Sequence, residues 1–345
     1  MTSPGAGGES DAGVVRPQRP LGADAPADAA MPGPGADATP PEAADAGADA
    51  RVATQDAAVA PDGSTPAARW VARPLTTPPS YLGSVDNGAS CDRDYPTVGF
   101  EPEDRDDALH PLFLYFVGTR FADGDLSADH DSPAALAVTE AMARRGYVAL
   151  SVAYDNGAVA WLSDHGNQLR CLFSRDSPSS LIAVACAQPR VDCDLGIAAW
   201  GHSQGAFVGV AAADLEPRVR GVWATGYGGD ASPGLSPERL RVVNGEADFG
   251  NGSPEALNRI AGFGGAGCGP DVDRCLRSNG SGWIRVLRSA LADPDASSAD
   301  HCWFDRRSCV DTTLRLEPSW VDPESTQPFA LEQNADWLAD IARSP

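Results

Sequence analysis

From about residue 69 onward, short apolar runs alternate with longer stretches of mixed polarity. "PLFLYFVG" (111–118) and "YVALSVAY" (147–154) are apolar almost throughout, the pattern of strands covered on both faces. Between them, "DSPAALAVTEAMARRG" reads as a helix. Asp131 or Ser132 caps it, Pro133 suits its first turn, and Gly146 ends it behind two arginines. The alternation continues with "SPSSLIAVACAQ" (helix), "LGIAAWG" (strand), "SQGAFVGVAAADL" (helix), "VRGVWATGY" (strand) and "RLRVVNG" (strand). A helix near "SPEALNRIAG", a last strand "GWIRVLRS" and a closing amphipathic helix in "TQPFALEQNADWLADIAR" complete it. "RWVARPL" and "YPTVGFEP" read as short opening strands. Strands alternating with helices predict an α/β fold: a mostly parallel sheet flanked by helices on both faces.

Residues 1–68 break this pattern. They are mostly Ala, Pro, Gly and Asp, with almost nothing to bury, and read as a disordered acidic tether before a domain at 69–345. The formal net charge is −22 and lysine is absent. Such a surface repels phosphate backbones and argues against nucleic-acid binding. No run of eighteen apolar residues occurs, so no transmembrane segment is expected. Six of the 8 cysteines fall into pairs of equal spacing, Cys186/Cys193, Cys268/Cys275 and Cys302/Cys309, leaving Cys91 and Cys171. Disulfides, and hence an extracytoplasmic location, are the expectation, with buried free thiols the alternative. No C-x2-C or Cys/His cluster has zinc-ligand spacing, and no metal or cofactor is expected. "MTSPGAGGESDAGVV" shows no basic region followed by an apolar core, so no signal peptide is visible, although the tether resembles the linker behind a lipid anchor.

The chemistry centres on "GHSQG" (201–205), between a predicted buried strand and a helix of small residues. A bare G-x-S-x-G arises often by chance, but strand–turn–helix context is that of a nucleophile elbow. There Ser203 occupies a strained tip, and Gly201 and Gly205 avoid collisions with neighbouring elements. Of five histidines, His202 sits inside the elbow and is expected to point away from Ser203; His110 starts an early strand, His130 precedes a helix, and His165 falls in a loop. His301, in "DASSADHCWF", follows the last predicted strand and precedes the final helix. In "VVNGEADFG", Asp248 is favoured as its carboxylate partner over Glu246. Oxyanion donors are expected from the N–H of Gln204, helped by the helix dipole, and from Thr119 or Arg120 in "VGTRFADG". Trp161, Tyr227, Phe249 and Trp303 are candidate substrate-lining aromatics.

With GHSQG, the "GEAD" turn (245–248) and His301, the chain resembles the α/β-hydrolase superfamily over about residues 69–345. "FLYFVGT" is also similar to the FLPGT-type oxyanion strand of a microbial branch that shares a GHSQG elbow, with Val117 in place of the proline. The resemblance implies a Ser203–Asp248–His301 triad, in that chain order, with His301 as general base and no metal. The resemblance implies serine-hydrolase chemistry; the expected activity is hydrolysis of a small-molecule or lipid-like carboxylic ester through an acyl-enzyme. An acyltransferase or amidase using the same triad, or a non-catalytic surface lipoprotein, are the alternatives. Fold alone does not name the substrate.

Overall fold

A computed structural model of the chain describes residues 69–344, apart from 85–89, 106, 120–128, 158–164, 230–233, 264–266 and 312. The candidate tether at 1–68, Arg120 and Trp161 therefore lie outside the described residues.

The strands are β1 (Ala72–Pro74), β2 (Ser80–Gly83), β3 (Arg93–Pro102), β4 (Leu112–Phe116), β5 (Val148–Val152), β6 (Ile197–His202), β7 (Val219–Thr225), β8 (Leu240–Gly245), β9 (Arg274–Leu276) and β10 (Gly282–Val286). They form one mixed sheet in the order β1-β3-β5-β4-β6-β7-β8-β10-β9, with β2 paired to β3. From β5 to β10 every neighbour is parallel, while β1, β2, β3 and β9 pair antiparallel at the flanks. β4 and β5 are buried at every position, as their unbroken apolar sequences require.

The helices are α1 (Pro133–Ala143), α2 (His165–Phe173), α3 (Leu181–Cys186), α4 (Gln204–Leu215), α5 (Pro254–Ile260), α6 (Pro318–Val321) and α7 (Leu331–Arg343). Ser132, rather than Asp131, caps α1 by accepting from the Ala135 N–H. α1 and α7 pack together on one face of the sheet, and α4 with α2 covers the other. Arg145, bonded to Glu332 and Asp336, ties α1 to α7.

Two short antiparallel strands, β2 and β9, and the helix α2 were not legible in the sequence. His165 begins α2 rather than lying in a loop. α2 is polar by composition and is held by tertiary contacts: Leu172 and Phe173 are buried, and Cys171 is bonded to Cys91. The other disulfides join Cys186 to Cys193, Cys268 to Cys275 and Cys302 to Cys309, the equally spaced pairs. These four bridges are compatible with an extracytoplasmic location. No described helix is long and apolar enough to cross a membrane.

Register decides where chemistry can gather. Phe116 pairs with Gly201, Gly201 with Ala224, Thr225 with Val243, and Gly245 with Val286. The carboxyl ends of β4, β6, β7, β8 and β10 therefore finish along one edge, and the loops leaving them meet there. Beneath that edge lies an aromatic cluster: Trp200 stacks on Trp223 at 4.3 Å, with Tyr115, Phe304 and Trp320 around it.

Candidate active site

The turn from β6 into α4 places Ser203 at φ 53° and ψ −119°. Asp129 and Ser203 are the two non-glycine residues with positive φ among the described residues. Such a backbone costs about 1–3 kcal/mol and persists only where surrounding structure holds it. Here the Ser203 N–H donates to the Thr225 carbonyl at 2.8 Å, pinning the turn to the end of β7. The flanking glycines are steric requirements. A Cβ on Gly201 would run into the Gly205 carbonyl, and one on Gly205 into the Phe116 carbonyl of β4.

Asp248 sits in the turn after β8, with its side chain fully buried. His301 Nδ1 stands 2.8 Å from Asp248 Oδ1, so Nδ1–H donates to the carboxylate and Nε2 is left as the basic nitrogen. Glu246 turns elsewhere: its Oε1 accepts from the Arg288 N–H at 2.7 Å. The two loops are joined where the Ala247 N–H donates to the Ala299 carbonyl. Asp300 then organises the loop beyond His301, accepting from the N–H groups of Cys302 and Cys309. Asp300 and these two sulfurs are close enough to suggest a metal site, but both cysteines are committed to their disulfide.

Ser203, Asp248, His301 and Thr119 line one cavity of about 620 Å³. No hydrogen bond joins the Ser203 hydroxyl to the His301 ring among the described residues. Catalytic hydrogen bonds are often long before substrate binds. The His301 ring is nonetheless close to the elbow: its centroid is 4.8 Å from that of His202, the residue before the serine. Thr119 Oγ1 donates to Gln204 Oε1 at 2.9 Å, tying the loop after β4 to the start of α4. Among the described residues, no hydrogen bond uses the main-chain N–H of Thr119 or of Gln204. Val117, where the FLPGT-type strand has proline, is held by Tyr154, whose hydroxyl donates to its carbonyl. Asn156 fixes the Gly118 carbonyl in the same way.

Several placements differ from the sequence reading. His202, which the sequence reading gave no part in the site, lines the cavity beside His301. Burial pushes its imidazole well below the ordinary value, with His301 and Arg306 adding to the effect, so it stays neutral. Of the candidate lining aromatics, Phe249 is on the cavity, 73% exposed, with its ring 5.2 Å from His301. Tyr227 and Trp303 are buried and absent from the cavity wall. The Asn244 side chain bonds both the N–H and the carbonyl of Tyr227, and the Tyr227 ring packs edge-on against Phe207, which takes its place in the cavity. Trp303 packs against Phe304 and Phe329 instead. The sequence reading missed Asp129, Phe207, Gly226, Asp305, Arg306 and Leu314, all on the wall. Only proximity to the Cys302–Cys309 ring could have flagged Asp305 and Arg306.

The strand order, the antiparallel β3, a serine elbow after β6, an acid after β8 and a histidine after β10 occur together. The chain has the α/β-hydrolase fold. No family model matches it, and no curated protein does so significantly. Among solved structures it is similar to a hypothetical protein from Pseudomonas aeruginosa, at 15% identity over 48% of this chain and 46% of that one, TM-score 0.32. It is similar to brefeldin A esterase, described as a bacterial homologue of human hormone-sensitive lipase, at 17% identity over 47% and 42%, TM-score 0.30. A serine hydrolase without lid from Xanthomonas campestris matches at 16% identity over 62% of this chain and 83% of that one, TM-score 0.37. The aligned part thus spans less than half the length of the first two structures.

Two predictions arise from this site. The Asp305 carboxyl is pushed up to about 6 by burial, with Arg306 opposing and Asp129 reinforcing the shift. The folded state therefore holds the Asp305 proton more tightly than the unfolded chain. Ionising it costs stability progressively as pH rises from about 4 to about 6, and the cost is then constant. Asp305→Asn is expected to be more stable than the parent at pH 7–8, by as much as about 3 kcal/mol, and no more stable near pH 3.5. Urea titrations at the two pH values check this. The second concerns the bridge beside His301. Replacing Cys302 and Cys309 together by serine removes a short cross-link contributing about 2–3 kcal/mol and loosens the loop carrying His301. The melting temperature should fall and kcat should drop severalfold. A variant with parental melting and turnover would show that the bridge does not hold this loop.

Proposed function

We propose that the chain is a serine hydrolase of carboxylic esters. The observation that supports this best is the 2.8 Å His301–Asp248 pair opening on the cavity that also holds the strained Ser203 elbow. In this reading Ser203 Oγ attacks the ester carbonyl as His301 Nε2 takes its proton. Asp248 holds the ring in the tautomer with Nδ1–H and stabilises the imidazolium. The oxyanion is received by the N–H groups of Gln204 and Thr119, which have no other acceptor among the described residues. His301 then protonates the leaving alcohol, and the same base activates water against the acyl-enzyme. His202, kept neutral by burial, adds no competing positive charge beside His301. The site needs no metal for these steps. Four disulfides support action outside the cytoplasm, and residues 1–68 are proposed to tether the domain there.

A fluorophosphonate probe and a panel of p-nitrophenyl esters of rising acyl length test the reading. Labelling with ester turnover is the expected result, and the length optimum sizes the acyl pocket. Acyl transfer only when an alcohol acceptor is added would reassign the chain as an acyltransferase. Neither labelling nor turnover would leave a binding protein built on a hydrolase fold.

A further inference from the structure

One wall of the cavity takes no part in that mechanism. Arg306 Nη2 lies 3.9 Å from Asp129 Oδ2, and Arg306 Nε lies 3.7 Å from Asp305 Oδ1. Both gaps are too wide for a hydrogen bond, and among the described residues the guanidinium donates to no acceptor. Asp305 Oδ1 is buried and accepts from no donor. Interior polar groups are nearly always satisfied. The Arg306 guanidinium, 24% exposed, therefore stands without a protein acceptor among the described residues, on the wall that carries Ser203 and His301. Asp129 shares with Ser203 the strained positive-φ backbone, and both line this cavity.

Charge narrows what the wall can hold. An anionic group would meet two carboxylates for one guanidinium. A cationic group would meet Arg306 between its two acids. A neutral hydroxyl suits both, because it accepts from the guanidinium and donates to a carboxylate, and the 3.9 Å separation of Arg306 from Asp129, both partly exposed, leaves room for an oxygen beside them that bonds to each. Phe249, exposed and 5.2 Å from His301, offers an apolar ring to the C–H face of such a molecule. Asp305 and Arg306 belong to the loop segment closed by the Cys302–Cys309 bridge, directly after His301. That bridge therefore positions the general base and this polar wall together.

We propose that Asp129, Asp305 and Arg306 form a subsite for a hydroxylated alcohol, so that the enzyme acts on acyl esters of neutral polyols such as glycerol or a sugar. The catalytic half of this statement rests on the serine-hydrolase reading; the polyol subsite does not. The burial of an ionisable Asp305 fits a group kept for binding rather than for stability.

Propyl acetate and 2,3-dihydroxypropyl acetate share an acyl group and a carbon chain and differ by two hydroxyls. The parent protein should favour the dihydroxy ester in kcat/KM by about tenfold or more, the range of one or two well-made polar contacts. Arg306→Met and Asp129→Asn should each bring that ratio down toward one, with circular dichroism showing a folded chain. Turnover of p-nitrophenyl acetate with a ratio near one in the parent, or a ratio that Arg306→Met leaves unchanged, would overturn the subsite and leave the hydrolase reading standing. If no ester is cleaved and the probe does not label, the hydrolase reading fails, and saturation-transfer NMR with glycerol and sorbitol decides the subsite by itself. Binding by the parent that Arg306→Met removes supports it; no binding overturns it.

Discussion

Ser203→Ala should fold and melt like the parent while losing ester turnover by about 10⁴-fold or more and all fluorophosphonate labelling. The two halves of this expectation have separate causes. Stability should hold because the Ser203 hydroxyl makes no hydrogen bond among the described residues. The turn is held by the main chain, through the Ser203 N–H on the Thr225 carbonyl, and by the space left at Gly201 and Gly205. Alanine occupies the same strained backbone as serine. Activity should collapse because no other nucleophile stands at the tip of the elbow, and residual turnover would come only from binding and the oxyanion donors. Thermal melts, active-site labelling and p-nitrophenyl acetate kinetics on one preparation suffice. A variant that still labels fully would remove Ser203 from the mechanism.

Gly226→Ala should lower kcat by about 10²-fold, the cost of misplacing a catalytic group by about 1 Å, with little change in KM. Gly226 follows β7 at φ +64°. A Cβ there would stand 2.6 Å from His301 Cε1 and 2.9 Å from Nδ1, and 3.1 Å from His202 Cε1. The imidazole must retreat, and retreat stretches its 2.8 Å bond to Asp248. The left-handed backbone adds about 1–2 kcal/mol of strain for any L-residue with a Cβ, so the melting temperature should fall by a few degrees as well. Gly250→Ala separates the two effects. Its φ is +77°, but a Cβ there meets nothing within 4 Å, so it should lose stability without losing turnover. Equal kcat losses in both variants would mean that strain, not the clash with His301, is responsible.

The ease of reading each feature from the sequence follows the range of the interaction behind it. The runs that became β4, β5 and β6 are apolar at nearly every position because those strands are covered on both faces, and that pattern is local. The small residues of the elbow are equally local in sequence, two positions to either side of the serine, although Phe116 of β4 is what crowds Gly205. The seven-residue spacing of three cysteine pairs closes short loops that any chain can close. β2, β9 and α2 were missed because their own residues carry little preference; β3, β10 and the Cys91–Cys171 bridge hold them in place. Tyr227 and Trp303 were assigned to the cavity from loop position alone, which says nothing about the direction of a ring. Phe207 and Phe329 pack against those rings, and neither is near its partner in the chain.

By itself, then, the sequence determined the alternating α/β architecture and the small-residue pattern of the serine turn, and it marked three equally spaced cysteine pairs without settling their connectivity, because each of these shows in residues a few positions apart. Only the tertiary structure decided that Asp248 reaches His301 across 53 residues, that Gly226 makes room for that ring, and that Asp129 meets Arg306 on the same wall. The physical reason is the strand order. Bringing β4, β6, β7, β8 and β10 to a common edge places together loops that the chain keeps far apart. No periodicity within a segment encodes which distant loop will be its neighbour.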